Sequence, residues 1–454
     1  MNKPIGKVLI ANRGEIALRI IRACKDMGIL TVAIYSDADA DALHVHTADE
    51  SVCIGPAPAR DSYLNEGAIL TAALLTDSDA IHPGYGFLSE RAGFAQKVES
   101  HGLVWIGPSS ETITEMGDKI TAKKTAAKCG LPVVPGSDGP VDTIADAEMW
   151  ADKIGYPVML KAAAGGGGKG IRPVFAAKDM AECFALTKAE AKSGFGDDTL
   201  YIEKLLTHPR HIEFQVLADK HGGVVVLGER DCSLQRKRQK IMEECPAAAL
   251  SEKERQKMIK VCQRAVKKMG YTNAGTLEFM FEDGQFYFIE MNTRLQVEHP
   301  ITEAVWGVDI VREQIRIAGG EKLGFAQEDL TPTGHAVEFR INAENPETFA
   351  PAPGLIGQYI PSGGFGVRVD SAAYAGYKIP PNYDSMIAKL VVHAENRTEC
   401  LRRAKRALEE FMIDGVDTTL PLQRKLVQVE DVLNGDYDNH WLEKYLGSEP
   451  NLPK

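Results

Sequence analysis

Five polar side chains fall on every second residue of IEMNTRLQVEHP, residues 289–300: Glu290, Asn292, Arg294, Gln296 and Glu298. Met291, Thr293, Leu295 and Val297 fill the positions between. Successive side chains of an extended segment point to opposite faces, so one face carries all five polar groups. Most such faces simply meet solvent. A further carboxylate, Glu278, sets this one apart. The stretch GTLEFMFEDGQFYFIEMN predicts a hairpin around Asp283-Gly284 with aromatic arms. A three-residue loop, Glu282-Asp283-Gly284 with Gly284 left-handed, is expected, and it puts Glu278 and Glu290 diagonally adjacent on one face. A two-residue Asp-Gly turn would send them to opposite faces. Carboxylates held that close repel unless a proton or cation sits between them. With Asn292 two residues along, these oxygens suit a hard divalent ion that bridges carboxylates to substrate phosphates.

The second candidate is PVMLKAAAGGGGKGIRPV, where Gly165, Gly166, Gly167 and Gly168 lie between Lys161 and Lys169. Such a run is tolerated where backbone must come close to something or must move, and the lysines make that something an anion. A mobile loop of N–H groups beside a two-carboxylate metal site is nucleoside-triphosphate apparatus. The P-loop pattern fails, because Lys169 is followed by Gly170 instead of Ser or Thr. The H-R-D and D-F-G motifs of protein kinases are missing as well.

The elements that must position these groups are legible in outline. Residues 8–11 and 31–35 read as strands around a helix with Ile16, Ile20, Ala23 and Met27 on one face. Further units near DAIHPGYGFLSE and LVWIGPS predict an α/β fold that opens with a doubly wound parallel sheet over residues 1–116. A dinucleotide site is not expected there, since ANRGEIA offers only Gly14 of the usual glycine fingerprint. Turn-rich GLPVVPGSDGP (130–140) marks the next boundary. Residues 141–206 predict a small hinged piece: helix, strand, glycine run, helix, strand. From 207 to 318 strands dominate, with a helix at 251–269, and 334–446 begins with strands and ends in helices.

A chain of 454 residues is too long for one core. A formal charge of −11 argues against a general nucleic-acid surface. Eight scattered cysteines contain no C-x-x-C, which suits reduced thiols and excludes zinc-type spacing. No signal peptide is read at the N-terminus and no run of about 18 apolar residues occurs, so a cytoplasmic protein without a membrane span is expected.

The motifs IANRGEIALRI, HPGYGFLSE, KAAAGGGGKGI, ERDCSLQRKRQK, EFMFEDGQFYFIEMNTRLQVEHPITE and PPNYDSMIAKL, in this order from about residue 5 to 446, resemble those of the biotin carboxylases. These are ATP-grasp ligases. The resemblance implies an N-terminal domain at 1–116, an ATP-grasp domain at 117–333 with a lid at about 134–206, and a C-terminal α+β domain at 334–446. It implies that Lys119 and Lys161 hold ATP phosphates under the glycine lid. Glu203, Lys204 and Leu206 would line the adenine side, Met280 the base, and His211 and Gln235 the ribose. Glu278, Glu290 and Asn292 would hold magnesium or manganese. Lys240, Arg294, Gln296 and the Val297 backbone would form the bicarbonate pocket. Glu298 would be the general base, Arg340 would stabilise a biotin enolate, and Tyr85 would lie near the biotin ring.

The implied reaction is ATP-dependent carboxylation of biotin through carboxyphosphate, within acetyl-CoA carboxylase or, alternatively, a two-subunit pyruvate carboxylase or another acyl-CoA carboxylase. No MKM-type attachment site and no carboxyltransferase-length region is read. A separate biotin carboxyl carrier protein, carboxyltransferase subunits and a homodimer are therefore expected. One departure stands out: QRKRQK carries Arg238 where the family often has histidine. His82 reads as a turn residue, Cys232 as inert, and His211 has no metal-spaced companion along the chain.

Overall fold

The computed structural model describes residues 4–162 and 170–448. Strands β1 (Lys7–Ile10) and β2 (Leu30–Ser36) flank a helix, Gly14–Asp26, which buries Ile16, Ile20 and Ala23. With β3 (Glu50–Gly55), β4 (Ala80–His82) and β5 (Val104–Trp105) they form a sheet in the order β3-β2-β1-β4-β5, every pair parallel. This is the doubly wound sheet expected, with the order reversing at β1. After β4 the chain turns tightly. His82 Nδ1 accepts from the Gly84 N–H at 3.0 Å, and Gly84 has φ +63 with the Asn12 amide against it. Burial lowers the His82 imidazole to about 3, so it is a neutral turn residue.

The chain divides into two compact units: Pro132–Pro209 with Met280–Ile289 form one, and the remainder forms the other. In the smaller unit β6 (Val158–Ala162), β7 (Ile171–Val174) and β8 (Leu200–Lys204) make an antiparallel sheet in the order β7-β6-β8. Helices Ile144–Ile154 and Met180–Phe195 bury Ala147, Ala151, Phe184 and Ala191 with Val158, Leu160 and Ile202. The first helix starts at a capping box between Thr143 and Asp146. Strand β7 was not expected. Its IRPV sequence is short and holds a proline, which an edge strand tolerates. The expected lid glycines Gly165, Gly166, Gly167 and Gly168, with Lys169, lie outside the described residues.

The main sheet is built from β9 (Arg210–Ala218), β10 (Val224–Arg236), β11 (Gln239–Cys245), β12 (Asn273–Glu282), β13 (Gln285–Asn292) and β14 (His335–Asn342). After the short β15 (Tyr359–Ile360), β16 (Val367–Ser371) and β17 (Met386–Ala394) extend it, and β18 (Met412–Ile413) pairs with β15. The order is β13-β12-β9-β10-β11-β14-β17-β16. Strands from 334 onward therefore continue a sheet begun at residue 210. Strand β14 alternates: Val337, Phe339 and Ile341 enter a core with Leu390, Val392 and the helix Arg397–Glu410, while Glu338 and Arg340 point the other way.

Two irregularities place functional groups. The β9–β10 register slips between Val226 and Glu229, where Gly228 has φ +61 and an added Cβ would lie 2.7 Å from the Trp306 ring. Beyond this bulge Arg230 stands directly opposite Glu213. The second lies in the β12–β13 hairpin and corrects an expectation. Its loop is only Asp283-Gly284, with φ 49 and 74, and not the three-residue loop. Positive φ at both residues is the turn whose twist matches the flanking strands. A regular ladder from it would separate Glu278 and Glu290. Instead the alternation of burial slips between Ile289 and Glu290, both half-buried, and Asn292 Nδ2 donates to Glu278 Oε1 at 2.6 Å. Nor does the strand reach Glu298. It ends at Asn292, and residues 293–298 form an irregular run into a helix, His299–Trp306, with Pro300 in its first turn.

Candidate active site

Glu298 is buried and meets two cations. One carboxylate oxygen bonds the Lys240 ammonium, and the other accepts from Arg340 Nη2 at 3.0 Å. Lys240 also donates to Glu213 at 2.7 Å and lies 3.8 Å from Glu278. Arg340 Nε donates to Glu243 at 2.6 Å. Burial pushes the Glu298 carboxyl up, but Lys240, Arg340 and Arg230 outweigh it and hold it well below the ordinary range. Burial likewise disfavours the Lys240 ammonium, and its acidic neighbours reverse this and raise it well above the usual lysine value. Glu298 is thus an ionised base clamped between cations, and an anion arriving at Lys240 and Arg340 competes for that clamp.

Gln296 Nε2 donates to Glu278 Oε1 at 2.8 Å. Arg294 donates to Asn292 Oδ1 at 2.9 Å and to Glu90 at 2.9 Å. The fold therefore joins Asn292, Arg294, Gln296, Glu298 and Glu278, which the sequence pattern had put on one face, by a different route. The chain winds instead of staying extended.

Glu278 also faces His211 Nε2 at 3.0 Å. Burial pushes its carboxyl up, and His211 and Lys240 bring it far below the ordinary range. His211, without a companion by chain spacing, gains Glu213 and Glu278 in space; their ligand atoms lie within 4.8 Å of one another. A buried ionised carboxylate beside the Asn292 amide is a hard-oxygen donor set that fits magnesium or manganese. Glu290 lies two residues before Asn292 at the end of β13.

Gln235 stands opposite Lys240 in the β10–β11 register. Arg238 is exposed at the hairpin tip with φ 69. The Tyr85 hydroxyl donates to Glu15. Val297 offers its carbonyl to Lys389 at 2.9 Å. Lys119 heads the helix Lys119–Cys129, and its side chain lies outside the described residues. In the smaller unit, Lys161 at the end of β6 pairs with Glu203 on β8 at 2.5 Å. Lys204 Nζ donates to the Gly155 carbonyl at 3.0 Å. Leu206 and Met280 are half-buried.

Sequence spacing does not single out Arg230. It is fully buried and donates to Glu213 at 2.6 Å, Gln215 at 2.8 Å and Gln296 Oε1 at 2.6 Å. It holds Gln296 and adds positive charge behind Glu298. The signal was present in HIEFQV, where Glu213 and Gln215 alternate with buried apolar residues, as Glu290 and Asn292 do. Cys232 Sγ lies 3.9 Å from Glu298. Burial and Glu213 raise its thiol well above the usual value, so it stays protonated and inert.

Three family models cover most of the chain: the biotin carboxylase N-terminal domain at 4–113, the carbamoyl-phosphate synthase L chain ATP-binding domain at 118–326, and the biotin carboxylase C-terminal domain at 338–444. The biotin carboxylase of Haemophilus influenzae is 54% identical over 442 residues, 97% of this chain and 99% of that protein. A pyruvate carboxylase subunit of Methanothermobacter thermautotrophicus is 50% identical over 441 residues, 97% of this chain and 90% of that one. The biotin carboxylase domain dimer of Hydrogenobacter thermophilus 2-oxoglutarate carboxylase, solved with MgADP, ADP and bicarbonate, superposes with TM-score 0.87. It is 47% identical and covers 98% of both chains. With these likenesses added to the fold and to the Lys240 and Arg340 cations around the buried Glu298 carboxylate, the chain belongs to the biotin carboxylase family of ATP-grasp ligases.

Proposed function

We propose that this chain uses ATP and bicarbonate to carboxylate biotin on a separate biotin carboxyl carrier protein, as the first half-reaction of acetyl-CoA carboxylase. The observation that carries the residue assignment is Glu298 held between Lys240 and Arg340. Bicarbonate binds at Lys240, Arg294, Gln296 and the Val297 backbone. Its negative charge draws Lys240 and Arg340 away from Glu298, whose proton affinity then rises toward that of a usable base. Glu298 takes the bicarbonate proton as the carbonate oxygen attacks the γ-phosphorus of ATP, forming carboxyphosphate and releasing ADP. Carboxyphosphate breaks into CO₂ and phosphate. Phosphate takes the N1′ proton of biotin, and the nitrogen bonds CO₂. Arg340 faces the ureido oxygen as charge gathers there, and Tyr85 borders the ring.

Glu278, Glu290 and Asn292 are the residues that would hold magnesium or manganese, whose chemistry is to screen the triphosphate charge. Lys119, Lys161 and the glycines 165–168 serve the phosphates. Glu203, Lys204, Leu206, Met280, His211 and Gln235 serve the nucleoside. The domains we assign are 1–116, 117–333 with the lid at about 134–206, and 334–446. A homodimer and carboxyltransferase subunits complete the assembly.

Bicarbonate-dependent ADP release, raised by free biotin, is the expected activity, and its absence in the purified chain would refute the reading. The 50% identity to a pyruvate carboxylase subunit favours pyruvate as the second acceptor to try. Assays with acetyl-CoA, pyruvate and other acyl-CoA acceptors, using the carboxyltransferase that co-purifies, decide between them.

A further inference from the structure

Lys389, in the middle of β17, is fully buried, and it has no part in the chemistry above. A lysine in such a place is costly unless its charge and donors are satisfied. It stands directly opposite Arg340 on β14 and Asp370 on β16. Two cations facing one another across a ladder oppose folding, and a methionine would fill the same volume without that conflict.

Its contacts explain the choice. Nζ donates to the Val297 carbonyl at 2.9 Å and lies 3.2 Å from a Glu15 oxygen. The Tyr85 hydroxyl donates to that same oxygen, and the ammonium sits 5.9 Å from the centre of the Tyr85 ring. The Val297 carbonyl belongs to the peptide that links Val297 to Glu298. Arg340 grips the Glu298 carboxylate at 3.0 Å. Neighbouring cations on adjacent strands therefore hold the two ends of one residue: Lys389 its peptide, Arg340 its side chain.

We propose that Lys389 is a positioning residue of the carboxylation centre, fixing the Val297–Glu298 turn and, through Glu15, tying it to Tyr85. This rests on the function proposed above. A base displaced by about 1 Å forfeits on the order of 100-fold in rate.

The test uses the full chain with Lys389→Met and Lys389→Arg. In Lys389→Met, kcat for bicarbonate-dependent ADP release falls about 10- to 100-fold. The KM for bicarbonate rises, the KM for ATP is unchanged, and Lys389→Arg recovers part of the rate. A folded Lys389→Met with wild-type kcat overturns the proposal, and so does a parallel loss of ATP affinity, which marks general disruption. Should Lys389→Met not fold, Glu15→Gln decides: a raised KM for free biotin supports the tie to Tyr85, and an unchanged one overturns it. A wild-type chain without bicarbonate-dependent ADP release would instead refute the function itself.

Discussion

On one side of β14, Val337, Phe339 and Ile341 join Leu390, Val392 and the helix Arg397–Glu410 in a hydrocarbon core. On the other side Glu338 and Arg340 stand with Glu243 and Lys389, and Glu338 and Lys389 are as buried as the phenylalanine. The apolar face is held by area removed from water and by close packing, both indifferent to direction. The charged face is held by named pairs at set distances, and each charge taken from water is a cost its partners must offset. Among the described residues neither oxygen of Glu338 has a hydrogen-bond partner, and burial raises its carboxyl well above the usual range. A sheet gains nothing in stability from such a surface that hydrocarbon would not supply. Its retention opposite an ordinary core is the mark of a surface kept for chemistry.

Breaking each side separately should give different kinds of failure. The largest effect is expected from Glu298→Gln, which keeps the shape and removes the base. Bicarbonate-dependent ADP release should fall about 10²- to 10⁴-fold while nucleotide binding persists, and unchanged turnover would remove Glu298 as the base. Phe339→Ala attacks the other face. It should destabilise the chain by about 3–5 kcal/mol, seen as a lowered melting temperature, with turnover per folded molecule retained. A rate loss without a stability loss would contradict the division of labour between the faces.

The smallest effect sharpens the contrast through pH. Burial, opposed by Lys389, lifts the Glu15 carboxyl to about 7. Its folded value exceeds its unfolded one, so its contribution to stability is complete below pH 4.5 and is lost as pH rises through about 7. That loss amounts to about 3 kcal/mol. Melting the wild type and Glu15→Gln at about pH 5 and about pH 8 should show a smaller decline in the glutamine variant. Equal declines would mean that Glu15 is ionised throughout. Phe339→Ala should leave the decline as it is in the wild type.

Much of this was legible in the residues. Apolar runs around Gly14–Asp26 announce the parallel sheet, and the alternation in VEFRIN announces a strand with one apolar side. Spacing alone points to the polar set at 290–298 and to Glu278, but not to the geometry around them. The loop is two residues long, and the strand stops at Asn292. A slip in the β13 alternation and an irregular run link Asn292, Arg294, Gln296 and Glu298 with Glu278, and no local pattern announces either. Arg230, a lone arginine in a strand, looks ordinary until Glu213, Gln215 and Gln296 surround it.

By itself, then, the chain's order of residues determined what depends on neighbours within a few positions: strand and helix periodicity, caps, and the motifs that resemble a ligase family. Tertiary structure alone decided which charges meet. Lys240 and Arg340 reach Glu298 across 58 and 42 residues, and His211 and Glu278 sit on different strands of one sheet. Coulomb forces and hydrogen bonds act over a few ångströms of space, whatever the distance along the chain, so the pairs that tune a proton affinity exist only once the sheet has closed its register.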